Sequence, residues 1–247
     1  MKIAVIVSQV PDTTTKIETG SDGKSINESG VEWILNPYAE FAVEKALKLK
    51  ENNNAVEEII LVALGPDRSV SAIRSGLAMG ADRGILIKSE KINAKPLAEK
   101  IQELGLDLIL AGKKNIDTEA IWLEAGVAGH LDLPMLANVN KIEWESGNLV
   151  AEREVPNGIE KFEINLPALI TCDKGKDEPR YASVMGLMKA KKKPLEEFEI
   201  AIEDGTGLKP LEAKLSSPRT AVKIFKGAAK DTAKQLLDAL KNEAKVL

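Results

Sequence analysis

The chain has 247 residues, of which 44 % are hydrophobic and 29 % charged, and its formal net charge is −4. These values are typical of an ordinary globular protein rather than a disordered one, and the negative charge argues against binding along a nucleic-acid backbone. No apolar run approaches the roughly 20 residues needed to span a bilayer. The first strand pattern begins at Lys2, so we expect a cytoplasmic protein without a leader segment.

Cysteine and histidine are scarce, with Cys172 and His130 as the single representatives. One cysteine cannot form an intrachain disulfide, and the two residues together cannot build a Cys/His metal site. A histidine-assisted nucleophile would have to use His130, which has no nucleophile motif around it. The sequence therefore predicts a protein without catalytic residues of its own.

Short β-branched runs alternate with helical patterns in the first half of the chain. The runs are residues 2–8, 58–64, 84–88 and 107–111. Because such apolar runs suit strands that are buried on both faces, their alternation with helices predicts βαβ units and a parallel sheet.

Helix signals lie between these runs. Asn36 is a good N-cap, and Pro37 fits the first position of a helix that we expect to reach about Lys50. A second helix follows Asp67 and ends at Gly80. A third covers about residues 95–104, and a fourth is predicted to begin near Asp117 and to end before residue 134.

After Pro134 the pattern changes from alternation with helices to consecutive strands. Runs at residues 139–145, 149–155 and 159–164 are separated by Ser-Gly-Asn and Asn-Gly turns, which predicts an antiparallel meander. A further core strand at residues 168–172 leads through a polar loop into a short helix containing residues 185–189.

The last part of the chain is charged and lacks a sustained period. Residues 191–219 contain Pro194, Pro210 and Pro218 and are interpreted as an extended arm. The arm leads to a helix at about residues 231–242, whose apolar face carries Ala233, Leu236, Leu237 and Leu240. We therefore divide the chain into an α/β domain, residues 1–190, and an arm, residues 191–247. The apolar face is expected to pack on a partner subunit, and packing on its own domain is the alternative.

In an open parallel sheet, ligands bind beyond the carboxyl ends of the strands. Gly65 and Gly112 follow two of the predicted strands and would allow close backbone approach to a mononucleotide, although glycines there also serve as plain turn residues. Neither a dinucleotide fingerprint nor a P-loop is present. The basic run Lys189 to Lys193 is either a solvated face or a surface that attracts an acidic partner.

Several segments together resemble the electron-transfer flavoprotein β family, in an order that extends from one end of the chain to the other. They are residues 6–12 (Ile-Val-Ser-Gln-Val-Pro-Asp), 35–40 (Leu-Asn-Pro-Tyr-Ala-Glu), 77–84 (Leu-Ala-Met-Gly-Ala-Asp-Arg-Gly), 111–113 (Ala-Gly-Lys), 131–134 (Leu-Asp-Leu-Pro), 178–183 (Glu-Pro-Arg-Tyr-Ala-Ser) and 188–193 (Met-Lys-Ala-Lys-Lys-Lys). The combination of the last two is the most specific.

The resemblance implies a Rossmann-like fold of the adenine nucleotide α-hydrolase type with a mainly parallel sheet, an antiparallel meander and a C-terminal helical arm. It implies a heterodimer in which an α subunit holds most of the FAD and is wrapped by the arm. Such a subunit helps to carry electrons from flavin dehydrogenases to a quinone oxidoreductase or another acceptor, and it is not an enzyme. By position, the loop containing Thr13 would lie near the flavin ring.

The resemblance also implies a buried AMP, or in bifurcating members a second FAD, at the strand ends of this subunit. The cofactor-binding positions carried over are Ile6, Asn36, Pro37, Tyr38, Ala39, Leu64, Gly65, Gly112, Lys113, Asp117 and Leu123. Where the family usually has Thr-Gly or Thr-Ala at the phosphate, this chain has Leu123 and Glu124. Because a carboxylate repels a phosphate in a low dielectric, we expect weak or absent AMP binding and no second FAD.

Residues 172–181 match the loop with which family members bind dehydrogenases. The partner-binding positions carried over are Lys176, Glu178, Pro179, Arg180 and Tyr181. The family's leucine anchor is replaced by Lys176, so we expect that acyl-CoA dehydrogenases are not the donor or dock differently. Two alternatives stay open: a nucleotide-binding, stress-protein-like α/β domain, and a purely structural partner subunit.

Overall fold

The computed structural model describes residues 1–53, 55–202, 210–217 and 222–247. Strands and helices follow one another along the chain in the order that the sequence pattern indicates for an α/β protein. The strands are β1 (Lys2–Ile6), β2 (Gln9–Pro11), β3 (Trp33–Leu35), β4 (Glu58–Gly65), β5 (Arg83–Lys88), β6 (Leu108–Gly112), β7 (Met135–Val139), β8 (Lys141–Glu145), β9 (Asn148–Val155), β10 (Gly158–Ile164), β11 (Ala168–Cys172) and β12 (Leu195–Glu199). The helices are α1 (Pro37–Asn52), α2 (Val70–Met79), α3 (Ala94–Glu103), α4 (Trp122–Leu131), α5 (Val184–Ala190) and α6 (Ala229–Asp238).

The main sheet has seven strands in the order β12-β5-β4-β1-β6-β11-β7, and its pairings are parallel. Along β1, Ile3 and Val5 belong to one apolar cluster and Ala4 and Ile6 to another, since successive side chains point to opposite faces. The cluster around Val5 includes residues of α1 and α2, and the cluster around Ile6 includes residues of α3 and α4. Both faces of the sheet are therefore covered, and the predicted Rossmann-like α/β fold is confirmed.

The predicted antiparallel meander is present as a separate sheet in the order β10-β9-β8. Ile142 and Leu149 of this sheet belong to the cluster on the α1 side. Val139 was predicted to begin the meander, but it ends β7, which pairs with β11 in the main sheet. Asn138, within β7, adopts a positive φ of 60° where the register between β7 and β11 shifts, and Asn140 separates β7 from β8.

The predicted start of the fourth helix near Asp117 is wrong, because α4 begins at Trp122. Glu119 has a positive φ of 55°, which interrupts a right-handed helix. The Asp117 carboxylate accepts a hydrogen bond from the backbone N–H of Thr118 at 2.7 Å, so it stabilises a turn instead. Residues 113–121 consequently form a loop at the carboxyl edge of the sheet.

The segment predicted as an extended arm begins with a strand that the sequence analysis missed. β12 pairs in parallel with β5 at the edge of the main sheet, and the backbone N–H of Gly84 donates to the carbonyl of Pro194 at 3.0 Å. Farther on, α6 is followed by one π-helical turn, Ala239–Glu243, and α6 contains no buried residue among those described. Residues 203–209 and 218–221, including Pro218, lie outside the described residues. The division at residue 190 stays a prediction.

Every helix among the described residues is too short or too polar to span a lipid bilayer.

Gly112 sets how closely α1 can approach the end of β6. A Cβ at residue 112 would lie 2.7 Å from the carbonyl carbon of Tyr38 and 2.8 Å from the backbone nitrogen of Ala39. Because backbone atoms of a packed helix cannot yield as a flexible side chain can, we expect Gly112→Ala to lower the free energy of unfolding by about 1 to 3 kcal/mol. Urea denaturation of the chain measures this loss.

Gly129→Ala is the matched control. Gly129 lies in α4, and a Cβ there would meet nothing within 4 Å. We expect this substitution to leave stability unchanged or to raise it by up to about 1 kcal/mol, since alanine favours the helix. Equal losses in both variants would contradict the account of the α1 packing.

Candidate functional site

The direction in which the sheet is wound changes between β1 and β6, which are neighbours in the sheet although the chain reaches β4 and β5 between them. In open α/β sheets, the crevice beyond the carboxyl ends of two such strands is where ligands bind. Here that edge carries the β2–β3 hairpin, the N-terminus of α1 and the loop 113–121. We take this edge as the candidate site.

Asn36 joins three of these segments. Its side-chain oxygen accepts from the backbone N–H of Tyr38 and caps α1, and its Nδ2 donates to the carbonyl of Lys114 and to Oδ1 of Asn115, each at 2.9 Å. Its own backbone N–H donates to the carbonyl of Ser8 at 2.9 Å, while Oγ of Ser8 contacts Oδ1 of Asn115 at 2.5 Å. Asn36 is buried, so its polar atoms are satisfied within the chain.

The two candidate glycines are used by the chain itself. The α1 backbone at Tyr38 and Ala39 occupies the space beside Gly112, and Oγ of Ser69 lies 2.6 Å from the position of a Cβ at Gly65. Both glycines therefore permit close packing of local backbone and side chain, and their approach to a mononucleotide stays a prediction.

The apolar positions predicted for the cleft come together beneath it. Ile6, Leu64 and Leu123 are buried in the same cluster, together with Ala111 and Val127. They form part of the packed apolar core under the carboxyl edge, and their contact with an adenine ring stays a prediction.

Glu124 is a buried acidic residue among the apolar residues of this region. It lies in the first turn of α4, is 5 % exposed, and its Oε2 has no hydrogen-bond partner among the described residues. Desolvation raises the pKa of Glu124 from 4.5 to about 7. A phosphate bound beside this side chain would meet a buried carboxyl that is ionised in part at neutral pH, in place of hydroxyl or backbone donors, so the residues present do not fit the AMP phosphate.

Lys113 follows β6 directly, and its side chain contacts two neighbouring residues. Its ammonium lies 2.9 Å from Oδ2 of Asp173 and 4.8 Å from the ring centre of Tyr38. The hydrogen bond to Asp173 raises the pKa of Lys113, so the lysine is a permanent cation at this edge.

The remaining predicted cofactor positions lie in two places, the first turn of α1 and exposed loops. Pro37 and Ala39 lie in the first turn of α1, beside Gly112. Thr13 is exposed in the turn after β2, and Asp117 is exposed in the loop before α4. The structure thus assembles most of the predicted positions at one edge, with Thr13 and Asp117 on its solvent side.

Of the predicted partner-binding residues, Lys176, Glu178 and Tyr181 are exposed and Pro179 is half-buried. Arg180 has an internal role: its guanidinium holds Glu44 through Nε at 2.8 Å and Nη2 at 2.9 Å. It also contacts Glu51 through Nη1 at 2.5 Å. Arg180 therefore fastens the loop to α1.

Lys45, Asn115 and Asp173 connect the segments of this region, and none of them was singled out from the sequence. Glu44 and Lys45 are both buried although charged, and their position within the apolar stripe of α1 is the one signal that could have revealed them. Asn115 and Asp173 carry no such signal, because each follows a strand in an ordinary polar loop.

Cys172 ends β11 and is fully buried. Burial raises the pKa of its thiol to about 12, so the reactive thiolate does not form at neutral pH.

Comparison with known proteins places this geometry in a family context. A family model described as "Electron transfer flavoprotein domain" matches residues 24–203. "Electron transfer flavoprotein subunit beta" of Bacillus subtilis is 36 % identical over 263 aligned residues, and that of Bradyrhizobium diazoefficiens is 38 % identical over 256, each across the whole of both chains. The human protein of the same name is 37 % identical over 205 residues, which are 79 % of this chain and 80 % of the human one.

The buried carboxyl predicts an unusual pH dependence. Because the pKa of Glu124 is higher in the folded chain than its ordinary 4.5, folding binds a proton between about pH 4.5 and 7. Below pH 4.5 Glu124 is protonated in both the folded and the unfolded chain, so its ionisation does not affect stability. As the pH rises from 4.5 to 7 the unfolded chain loses this proton first, which destabilises the folded chain, and above pH 7 the loss of stability stays constant. We expect Glu124→Gln to stabilise the chain at pH 8 by up to about 3 kcal/mol and to have little effect near pH 4.5.

Urea denaturation at the two pH values measures the difference. Glu99→Gln is the control, since Glu99 is exposed on α3. A Glu124→Gln variant that is less stable than the parent chain at pH 8 would show that the carboxylate has a stabilising partner.

Proposed function

Because this chain belongs to the electron transfer flavoprotein β-subunit family, we propose that it is the β subunit of a heterodimeric electron carrier whose FAD is held mainly by an α subunit. The observation that carries the proposal is the similarity to β subunits across the whole chain. FAD supplies the one- and two-electron chemistry when it is bound. The role of this chain is to shape the site, exclude water and present a docking surface, without a nucleophile or general base of its own.

The β2–β3 hairpin and the turn after β2 are the proposed contribution to the flavin environment. Asp12 is fixed there by its backbone N–H, which donates to the carbonyl of Glu32 at 2.7 Å. Its carboxylate accepts from both the backbone N–H and Oγ1 of Thr14, at 2.7 and 2.5 Å. These hydrogen bonds lower the pKa of Asp12, and they leave Thr13 exposed at the carboxyl edge. A rigid, polar turn of this kind suits the edge of a flavin ring held by another subunit.

The arm is the proposed clasp on the α subunit. Leu236 and Leu237 of α6 are 48 % and 58 % exposed, although they share the apolar face of the helix. An amphipathic helix of this length is marginal in water unless its apolar face packs on something. The α subunit is the surface that we propose for it.

The docking loop, residues 173–180, together with Tyr181 and α5, is the proposed docking surface for a flavin dehydrogenase donor. Tyr181, Met185 and Met188 are exposed large side chains there, and four exposed lysines lie in or next to the same segments, namely Lys176, Lys189, Lys191 and Lys192. An apolar centre with a charged rim is the usual construction of a transient interface. The complementary donor surface would be apolar with an acidic rim, and a quinone oxidoreductase or another acceptor would receive the electrons.

The nucleotide cleft of this subunit is proposed to work without AMP. Asn36 is already satisfied within the chain, and the α1 backbone packs against Gly112. Glu124 and Leu123 stand where the phosphate of the family's nucleotide would be held. We also retain the cytoplasm as the proposed location, although an Arabidopsis thaliana relative, 35 % identical over 257 residues, is named as mitochondrial.

Co-expression with the α subunit tests the proposed function. We expect the chain alone to be colourless and the co-purified pair to be yellow, with about one FAD per heterodimer by absorbance, because the flavin is held mainly by the other subunit. A chain that purifies as an active enzyme by itself, or that never forms a flavin-containing pair, would contradict the proposal. A stress-protein-like domain would instead bind nucleotide alone.

Adenine nucleotide released from the denatured heterodimer tests the cleft. Chromatography should detect FAD, and AMP at well below one equivalent per heterodimer, since Glu124 opposes a phosphate. The variant with Leu123→Thr and Glu124→Gly should retain more AMP than the parent heterodimer. Stoichiometric AMP in the parent would show that the cleft accommodates the nucleotide despite the carboxyl.

A further inference from the structure

Asp173 is the first residue after β11, at the base of the proposed docking loop, and each of its polar groups has a partner. Its backbone N–H donates to the carbonyl of Val139 at 2.8 Å, and its carbonyl accepts from the ammonium of Lys45 at 2.9 Å. Oδ1 accepts from the backbone N–H of Lys174 at 2.7 Å, and Oδ2 from Lys113 at 2.9 Å. Asp173 is therefore a fixed joint and not a solvated loop residue.

The rest of the loop is fastened to the same scaffold. The carbonyl of Lys174 accepts from Nδ2 of Asn140 at 2.7 Å. Gly175 passes so close to the carbonyl of Asn140 that a Cβ there would lie 2.2 Å from its oxygen. Asp177 pairs with Lys48, and Arg180 with Glu44 and Glu51. Lys176 is exposed between these fixed points.

Lys113 is the member of this network that belongs to the candidate cleft. It follows β6 at the point where the sheet winding changes, and its backbone N–H donates to the carbonyl of Cys172 at 2.9 Å. Its ammonium spans from Asp173 to the face of Tyr38 in the first turn of α1. Both ends of the Lys113–Asp173 pair are about three-quarters buried, with side-chain exposures of 25 % and 23 %, so screening by water is reduced.

We propose that Lys113 is a positioning residue that fixes the base of the docking loop, residues 173–180, against the carboxyl edge. The ion pair between Lys113 and Asp173 thereby links the cleft to the first residue of the loop that presents Lys176. The docking role of the loop rests on the proposed function, whereas the mechanical link between Lys113 and the loop does not. A loop that is held in place before a partner arrives loses less conformational freedom on binding, which favours association.

Hydrogen exchange of the loop in the α/β heterodimer tests the inference. We expect Lys113→Met to accelerate exchange at backbone amides of residues 173–180 by about tenfold, because loss of the pair lowers the cost of local opening. Asp173→Asn should have a similar effect, and adding it to Lys113→Met should accelerate exchange little further, since both remove one interaction. Lys113→Arg should exchange as slowly as the parent heterodimer, because arginine keeps the positive charge that pairs with Asp173.

Lys114→Met is the matched control. Lys114 is the next residue and pairs with Glu119, whose side chain is 73 % exposed, so its loss should leave exchange of the loop unchanged. Unchanged exchange in both Lys113→Met and Asp173→Asn, or equal acceleration in Lys114→Met, would overturn the inference. If Lys113→Met does not fold, Asp173→Asn and Lys113→Arg still decide it. The FAD content of the parent heterodimer tests the proposed function separately. If no heterodimer forms, hydrogen exchange of the chain alone still tests the ion pair.

Discussion

The close contact between the N-terminus of α1 and the end of β6 is the constraint on which the rest of this structure depends. Gly112 leaves no volume between the strand and the helix, and Asn36 fastens the helix N-terminus to the loop after β6 and to Ser8 in the segment after β1. This contact fixes the point at which the sheet winding changes. The β2–β3 hairpin, the loop before α4 and the start of the docking loop are all positioned relative to it.

The carboxyl edge consequently consists of two regions with different properties. Toward the centre lies a packed apolar core beside Glu124, whose Oε2 has no hydrogen-bond partner in the part of the chain that the structure describes. Toward α1 the carboxyl edge continues through Lys113 and Asp173 into the docking loop, which hydrogen bonds and ion pairs hold against the rest of the chain. A protein that transfers electrons between partners needs a rigid scaffold and an exposed surface more than it needs reactive groups, and this edge provides both.

The sequence predicted the fold well where burial and local signals agree. The parallel strands β1, β4, β5 and β6 are apolar on both faces, and α1 carries an N-cap and a proline at its start. β12 was missed because an edge strand buries little of its surface, and the start of α4 was misplaced because the positive φ of Glu119 has no sequence signal. At the site, positions within one segment could be predicted. The contact of Lys113 with Asp173 could not, because a tertiary fold brings together residues that are 60 positions apart.

The carboxyl edge and the arm of this chain are proposed to face a flavin-bearing α subunit. The most direct measurement is hydrogen exchange of the chain alone compared with the α/β heterodimer. We expect protection on assembly at the turn after β2 and along α6, and no change at the opposite, amino edge of the sheet near Asp107. Protection confined to the amino edge, with α6 exchanging as fast in the pair as in the isolated chain, would contradict it.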